Sequence, residues 1–206
     1  CLFSLGTAAL AEGEEMVPVC VSVPEGWEAP CLWAWADDGT NAFAAWPGEE
    51  ADALGDTGWY YCYVPSFVQN VIVNANAGTV QTEGVVVEAG KPVWITVAED
   101  NSAAVSYEAQ TEAEIPEYVE KITVHAYVPL EWKTVNLWAW LDPDGTNAFD
   151  AWPGKAMTEN ENGWFTAKVP AWVNSIIVSG NEGSVQTEDV TIEPQELWIT
   201  VYDDLS

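Results

Sequence analysis

The chain alternates short apolar runs with polar stretches that form turns. Within the runs, Val, Ile, Trp and Tyr recur at every second position, and Gly, Pro, Asn and Asp lie between the runs. No sustained stretch has the apolar spacing of an amphipathic helix. The pattern in the first half predicts six strands, at Val17–Val23, Cys31–Ala36, Gly58–Val64, Val71–Asn74, Gly84–Glu88 and Val93–Val97.

The same pattern occurs twice, at an offset of 104 to 106 residues. The recurring segments are Leu32–Trp35 with Leu137–Trp140, Gly39–Phe43 with Gly145–Phe149, Ala45–Gly48 with Ala151–Gly154, Val80–Glu83 with Val185–Glu188, and Trp94–Val97 with Trp198–Val201. A module of about 80 residues with six or seven short strands is typical of an immunoglobulin-like antiparallel β-sandwich. The prediction is therefore an all-β chain with two tandem sandwich domains.

The predicted domain boundaries follow the repeat. Modules are expected at 15–98 and 120–206, and the segment between them, 99–119, is rich in Ala, Glu, Ser, Gln and Thr, which is typical of a linker or a loosely docked segment. Residues 1–14 begin with CLFSLGTAALA, which resembles the back half of a secretory signal peptide and favours a secreted or cell-surface protein. The alternatives are an ordinary first strand and a lipoprotein that starts at Cys1; the run is too short to span a bilayer.

The charge balance excludes several classes of partner. The chain has 33 acidic and 5 basic residues, a net charge of −28. Phosphate recognition and anionic membrane surfaces both require clustered Lys and Arg, so nucleic-acid binding and membrane insertion are not expected. The 13 Trp residues exceed what two small cores need. Surplus Trp favours an interface, and with so few cations a neutral, hydroxylated ligand fits best.

Catalysis is not expected from these residues. The only histidine, His125, corresponds to Cys20 in the other copy, and no nucleophile, zinc, P-loop or dinucleotide motif occurs. A carboxylate pair of the glycosidase type stays open, because acidic residues are plentiful. No cofactor is predicted. Calcium at the Asp37–Asn41 and Asp142–Asn147 loops is an alternative, although the pattern favours Asp-Gly turns.

The cysteines of the first copy are not repeated in the second, so the fold does not require them. Cys20, Cys31 and Cys62 correspond to His125, Asn136 and Ala167 in the second copy. A disulfide is therefore not intrinsic to the module. Both a pair among these three residues and buried free thiols remain possible.

Strand alternation indicates where a sugar would stack. Trp33 and Trp35 are predicted on one face of their strand, with Leu32 and Ala34 on the other, and Trp138 and Trp140 repeat this arrangement. Trp46 and Trp152 occupy Ala-Trp-Pro-Gly turns, where a large side chain is expected to point outward. The alternative is that the Trp face forms the core. Core or edge packing is expected of four others: Trp59, Trp94, Trp164 and Trp198.

These motifs together resemble carbohydrate-binding module family 26, with family 25 as close kin. They are an aromatic-x-Trp strand, Ala-Trp-Pro-Gly, Gly-Trp, and Asn76–Thr82 or Asn181–Thr187. The resemblance implies a non-catalytic β-sandwich that binds α-1,4-glucans (starch, amylose, amylopectin and maltooligosaccharides) as a monomer within a longer extracellular chain. The site residues that it implies are Trp33, Trp35, Trp46, Asn76, Gln81, Trp138, Trp140, Trp152, Lys155, Asn181 and Gln186. The alternatives are another polysaccharide, or structural and protein-interaction domains.

Overall fold

The chain forms two compact units, Cys1–Tyr118 and Val119–Ser206. The computed structural model describes residues 14–160 and 162–202. Except for Glu14, the predicted signal-peptide segment 1–14 lies outside these residues. The regular elements of the described residues are all β-strands, which confirms the predicted fold class.

The first unit contains ten strands in two sheets. Strands β2, β3, β6, β7 and β8 form one sheet, called here the tryptophan sheet, and strands β10-β9-β1-β5-β4 form the other, called the opposite sheet. The strands are β1 Met16–Ser22, β2 Cys31–Trp35, β3 Glu49–Glu50, β4 Asp52–Ala53, β5 Tyr60–Pro65, β6 Asn70–Ala75, β7 Val80–Gln81, β8 Val85–Val86, β9 Val93–Val97 and β10 Ala103–Ser106.

The second unit repeats this arrangement with ten strands. Its tryptophan sheet contains β12, β13, β14, β17, β18 and β19, and its opposite sheet has the order β15-β16-β11-β20. The strands are β11 Lys121–Tyr127, β12 Val135–Leu141, β13 Thr146–Asn147, β14 Lys155–Ala156, β15 Thr158–Glu159, β16 Phe165–Pro170, β17 Ser175–Gly180, β18 Val185–Gln186, β19 Val190–Thr191 and β20 Leu197–Thr200.

The core of each unit lies between its two sheets. In the first unit, Leu32 and Val73 of the tryptophan sheet are fully buried in one cluster with Val19 and Ile95 of the opposite sheet. Each fully buried side chain of this size contributes roughly 1.5–3 kcal/mol. Because side chains alternate across a strand, this burial turns the intervening residues to the outer faces.

Pairing departs from a purely antiparallel sandwich at one place in each unit. β1 pairs with β9 in parallel, and β11 pairs with β20 in parallel, within sheets whose other pairs are antiparallel. All six strands predicted for the first copy occur. The two-residue strands β3, β4 and β7 were not predicted, because they are too short to show a period.

The predicted linker requires a correction. Ala103–Ser106 forms β10, which pairs antiparallel with β9, so this part of 99–119 is an edge strand of the first unit. Farther along, Ala113 and Ile115 pack against a cluster that contains Cys20 and Trp94. Small apolar residues at alternate positions pack and pair there despite the polar composition. The segment therefore belongs to the first unit, whose boundary falls after Tyr118.

Three cysteines in the described part of the chain are buried and form no disulfide with one another: Cys20, Cys31 and Cys62. Burial raises the pKa of Cys20 to about 12. The structure thus has the free-thiol form of the two possibilities left open by the sequence. The described residues also contain no helix long and apolar enough to cross a membrane.

Candidate functional site

Trp33 and Trp35 lie on the outer face of the tryptophan sheet. Their neighbours in β2, Leu32 and Ala34, are fully buried in the core, whereas the two indoles are half-buried. In β12, Trp138 alternates in the same way with buried neighbours. The interpretation in which the Trp face forms the core is therefore wrong.

Trp46 stands beside Trp33 at an angle. Its side chain is 42% exposed, and the centroids of the two rings are 6.3 Å apart with their planes inclined by 59°. The turn that carries Trp46 lies directly on β2, because a Cβ on Gly48 would overlap the carbonyl oxygen of Leu32. Only glycine permits this approach, and the φ of Gly48 is +94°.

The second unit repeats this geometry closely. Trp152 is 41% exposed, its ring centroid lies 6.0 Å from that of Trp138, and the planes are again inclined by 59°. Phe149 adds a third ring, 6.3 Å from Trp138. We call Trp33 with Trp46, and Trp138 with Trp152, the tryptophan pairs. The recurring Leu-Trp-Ala-Trp and Ala-Trp-Pro-Gly segments therefore form the same pair of inclined indoles in both units.

A glycine turn supports each tryptophan pair from the side. At Gly78, where φ is +79°, a Cβ would overlap Nε1 of the Trp46 indole, and Gly183 has the same relation to Trp152. The indole edge therefore lies on the backbone of the turn. Sequence reasoning did not assign Gly78 or Gly183 a role, although both stand in the repeated Asn-x-Gly segment.

Asn76 and Asn181 hold these turns in place. Oδ1 of Asn76 accepts the N–H of Glu28 at 2.7 Å, and its Nδ2 donates to the carbonyl of Gly26 at 3.0 Å. Oδ1 of Asn181 accepts the N–H of Lys133 at 2.8 Å. Both amides are thus engaged with the loop before the Trp-bearing strand. That the two residues contact sugar stays a prediction, and the structure gives them a positioning role.

Gln81 and Gln186 are exposed beside the tryptophan pairs. Gln81 faces Asn74 across the β6–β7 pair, and Gln186 faces Ser179 across the β17–β18 pair. The next residue, Thr82 or Thr187, is buried, and its hydroxyl accepts the N–H of Val73 or Val178 at 3.2 Å. The Gln-Thr segment therefore presents its amide to solvent and uses its hydroxyl in the fold.

The position opposite each glutamine is a buried polar residue that differs between units. Asn74 is fully buried and donates from Nδ2 to the carbonyl of Pro47 at 2.9 Å, which ties the Trp-Pro-Gly turn to β6. Within the described residues, Oδ1 of Asn74 and Oγ of Ser179 have no hydrogen-bond partner. A buried unsatisfied polar atom costs about 1–3 kcal/mol, so both sites carry unused hydrogen-bonding capacity beside the turn.

Trp35 and Trp140 lie at or next to the ends of their strands, close to the acidic loops. Nδ2 of Asn70 donates to the carboxylate of Asp37 at 2.9 Å, and Oδ1 of Asn174 accepts the N–H of Asp142 at 2.7 Å. These contacts fix the loop beside each indole. Trp35 also lies against Gly84, where a Cβ would come within 3.6 Å of its ring.

Lys155 and its counterpart Glu49 occupy the strand that borders the site. The register places Lys155 across from the core residue Leu137, and Glu49 across from Leu32. Neither residue is therefore paired with the Trp positions of the neighbouring strand. The predicted sugar contact of Lys155 stays a prediction, and reaching the outer face requires its side chain to pass around the sheet edge.

The acidic loops are built as turns. Oδ1 of Asp38 accepts the N–H of Thr40 at 2.9 Å, and this hydrogen bond lowers the pKa of Asp38. Among the residues that the structure describes, no group of three or more His, Cys, Asp or Glu side chains is placed to hold a metal ion.

Comparison with known families decides how this site is classified. The family model of starch-binding module 26 matches residues 19–86 and 124–192, more than half of the chain. The chain belongs to the starch-binding module 26 family. Each matched segment contains one complete tryptophan pair with its glycine turn. The resemblance inferred from the motifs is confirmed, and the family is one of non-catalytic carbohydrate-binding modules.

A much longer relative contains a region similar to these family 26 modules. The chain is 29% identical to an alpha-amylase of Butyrivibrio fibrisolvens over 92% of its own length and 20% of the amylase. The chain therefore spans about a fifth of the relative that it matches.

Two solved structures are similar in architecture. One is a family CBM26 module of Eubacterium rectale Amy13K in complex with maltoheptaose, 18% identical, with a TM-score of 0.36, covering 89% of this chain and 92% of that one. The other is CBM25-1 of the beta/alpha-amylase of Paenibacillus polymyxa, 13% identical, with a TM-score of 0.37, covering 47% of this chain and 97% of that one.

Proposed function

We propose that each unit binds an α-1,4-linked glucan on its tryptophan pair. The observation that carries the proposal is the repetition of one geometry, two indoles about 6 Å apart and inclined by 59°, in both units. Structural packing alone does not require each unit to hold two partly exposed indoles side by side on its outer face. A helical α-glucan presents successive glucose faces at an angle to one another, so it matches two inclined rings better than a flat ribbon does.

The chemistry of the site suits a neutral polyol. The C–H face of a pyranose stacks on the indole surface, which offers apolar area and a polarised π-face. Gln81 and Gln186 offer amides that both donate and accept hydrogen bonds to hydroxyls. Trp35 and Trp140 extend the apolar surface along the strand. The net charge of −28 leaves no role for phosphate recognition.

Two sites on one chain increase binding to a granule. When one unit binds, the other finds its ligand at an effective concentration in the millimolar range for a short tether, so avidity exceeds either single affinity. The proposed setting is a monomeric, secreted or cell-surface part of a longer amylase or starch-adherence protein. That the chain needs no cofactor remains a prediction.

Affinity electrophoresis in gels that contain soluble starch tests this proposal. We expect Trp46→Ala and Trp152→Ala each to reduce retardation, and the double variant to migrate as in a gel without starch. Removing a central aromatic contact costs about 2 kcal/mol, or about 30-fold in affinity. The control is Trp198→Ala, an exposed Trp on the opposite sheet of the second unit, which should be retarded like the parent chain.

The alternatives predict different outcomes. A module for another polysaccharide would adsorb to insoluble cellulose or chitin in preference to granular starch. A structural or protein-interaction domain would show no retardation to lose. Unchanged retardation of the double variant would reject the tryptophan pairs as the site, and release of glucose by the purified chain would reject a purely non-catalytic role.

A further inference from the structure

In the first unit, an asparagine lies directly beside a tryptophan on the outer face of the tryptophan sheet. Asn41 forms an antiparallel bridge with Trp35, and the N–H of Ala42 donates to the carbonyl of Ala34 at 2.9 Å. This hydrogen bond flanks the bridge, so Asn41 and Trp35 face each other as a non-hydrogen-bonded pair. The Cα atoms of such a pair are about 4.5 Å apart, and its side chains lie close together on one face of the sheet.

The second unit has the same pair after a longer loop. β13 pairs antiparallel with β12 and places Asn147 opposite Trp140. Five residues separate Trp35 from Asn41. Six residues separate Trp140 from Asn147, because the second copy contains the additional Pro143. A shift of one residue along a strand moves a side chain to the other face. The insertion is therefore taken up within the loop, and the asparagine stays beside the tryptophan in both units.

The backbone does not require asparagine at these two positions. Asn76 and Asn181 adopt φ values of 54° and 52°, and their amides hold a neighbouring loop. Asn41 and Asn147 do not have positive φ, and within the described part of the chain their side chains make no hydrogen bond. Asparagine is also depleted in strands. Turn geometry and capping therefore leave these two exposed amides without a structural role.

The polar groups on the other side of each indole are bonded within the chain. Asn70 lies opposite Trp35 across the β2–β6 pair, and its Nδ2 donates to the carboxylate of Asp37 at 2.9 Å. Ser175 has this place in the second unit, where it is buried and its hydroxyl donates to Oδ1 of Asn174 at 3.3 Å. Among the residues paired with each indole, the asparagine therefore keeps a side chain available to a ligand.

The amide lies at the far end of a row of rings. Trp46 lies against Gly78, in the turn that follows β6 at the end of the sheet where β2 begins. Its ring centroid is 6.3 Å from that of Trp33, and Trp35 follows Trp33 on the same face after two residues, or about 6.6 Å. Asn41 stands at the rim of this third ring. A pyranose stacked on the ring presents hydroxyls around its edge, where an amide can both donate and accept hydrogen bonds.

We propose that the asparagine beside this third ring, Asn41 in the first unit and Asn147 in the second, bonds the hydroxyls of a glucose unit stacked on the ring. The inference rests on the proposed function and extends it, because each binding surface then continues from the tryptophan pair to a third indole with an amide beside it. A long glucan gains this contact, whereas a disaccharide on the tryptophan pair does not reach it. The chain length of the ligand therefore determines how much the asparagine contributes.

Isothermal titration of the second unit, isolated by Trp46→Ala in the whole chain, tests the proposal. We expect Asn147→Ala to weaken maltoheptaose binding roughly three- to tenfold, as for the loss of one hydrogen bond, and to leave maltose binding unchanged. Thr146→Ala is the matched control and should bind maltoheptaose like its parent, because Thr146 is also exposed but strand alternation turns it to the other face. In a Trp140→Ala background, Asn147→Ala should have no further effect, since the ring that holds the sugar beside the amide is then absent.

The proposal is overturned if Asn147→Ala binds maltoheptaose as tightly as its parent, or if Thr146→Ala loses as much affinity. A loss that persists in the Trp140→Ala background would also overturn it, because the asparagine would then act away from the third ring. Failure of the proposed function looks different, since the chain with both tryptophan pairs intact would bind no maltoheptaose. Urea unfolding completes the test: a loss of affinity at an unchanged unfolding midpoint supports a sugar contact, whereas a loss that accompanies a lowered midpoint assigns the asparagine to the fold.

Discussion

Trp46 and Trp152 are exposed to nearly the same extent, 42% and 41%, whereas Trp94 and Trp198 differ by more than tenfold, 4% against 60%. The first comparison concerns the tryptophan sheets and the second the opposite sheets. Local contacts fix the first pair: in each unit the Trp-Pro-Gly turn lies on the Trp-bearing strand, and the glycine turn lies against the exposed indole. The second pair depends on a distant segment, which the first unit has and the described part of the second unit lacks. Exposure that is the same in both units is therefore determined by contacts within the module itself. Exposure that differs between the units depends on chain that lies outside the module.

The covered and uncovered opposite sheets should differ most in thiol chemistry. Burial raises the pKa of Cys20 from an ordinary value of 9.0 to about 12, so its thiolate fraction at pH 8 falls by about 10³. In a His125→Cys variant, we expect the new thiol to react about 10²–10³ times faster than Cys20, because position 125 is only partly buried whereas Cys20 is fully buried. Timed alkylation followed by peptide mass mapping measures both rates in one sample.

In guanidinium chloride the two rates should converge, since both thiols then meet the same solvent. Equal rates in the folded chain would show that the face of the second unit is covered after all, and the comparison of the opposite sheets would fail.

The shared geometry of the tryptophan pairs should depend on the glycine turns. Gly78→Ala puts a Cβ into the Trp46 indole, so we expect the ring to shift and the glucan affinity of the first unit to fall roughly 10–30-fold. Isothermal titration with maltoheptaose in a Trp152→Ala background isolates this unit. Gly39→Ala is the matched control: Gly39 also has positive φ, at +89°, but a Cβ there has nothing within 4 Å.

Both variants should lose about 1 kcal/mol of unfolding free energy, since alanine is strained at positive φ. Only Gly78→Ala should lose affinity. Equal losses of affinity would mean that backbone strain, and not the Trp46 contact, controls binding.

These features also show which parts of the structure could be predicted from the sequence. Alternation of Leu32 and Ala34 with Trp33 and Trp35 predicted both the core face and the outer face. Successive side chains of a strand point to opposite faces, so burying Leu32 and Ala34 in the core places both Trp residues on the outer face. The internal repeat predicted that the second unit would follow. The angle between Trp33 and Trp46 could not be predicted, since it depends on how a turn lies on a neighbouring strand.

Other features depend on long-range contacts that a local sequence pattern does not reveal. Trp198 was expected to pack in a core or edge because apolar residues flank it, yet its burial depends on a covering segment and not on its own strand. The segment that packs on Trp94 lies within residues 99–119, which the composition predicted to be a linker. The sugar contacts of Asn76 and Asn181 stay a prediction, and the motif did not show that their amides also contact a loop about 50 residues earlier.

Asn76 and Asn181, which hold the glycine turns, should contribute unequally to the unfolding free energy of the two units. Asn76→Ala removes hydrogen bonds of 2.7 and 3.0 Å, whereas Asn181→Ala removes one of 2.8 Å and a marginal contact of 3.5 Å. We expect a loss of roughly 2 kcal/mol in unfolding free energy for the first variant and roughly 1 kcal/mol for the second, at about 1 kcal/mol per hydrogen bond. Urea unfolding followed by Trp fluorescence measures the difference.

A discriminating readout is the glucan affinity of each variant at a temperature where both remain folded. A positioning residue should be rescued in part by Asp, whose carboxylate can still accept the N–H of Glu28 or Lys133. If Asn76→Asp loses as much affinity as Asn76→Ala while the fold is intact, the amide contacts the sugar directly and the positioning role is wrong.

The smallest effect is expected where the units differ in one buried side chain. Asn74 ties the carbonyl of Pro47 to β6, whereas Ser179, across from Gln186, has no hydrogen-bond partner for Oγ among the described residues. Asn74→Ala should therefore loosen the turn that carries Trp46 and weaken glucan binding by the first unit about three- to fivefold, the equivalent of one net hydrogen bond. Ser179→Ala should leave the glucan affinity of the second unit unchanged, because it removes a polar atom without breaking a contact.

A clear loss of affinity for Ser179→Ala in titration with maltoheptaose would instead mean that this hydroxyl bonds to the glucan or to a water that the glucan needs. The two buried residues would then be ligand contacts, and the tryptophan pairs alone would not define the site.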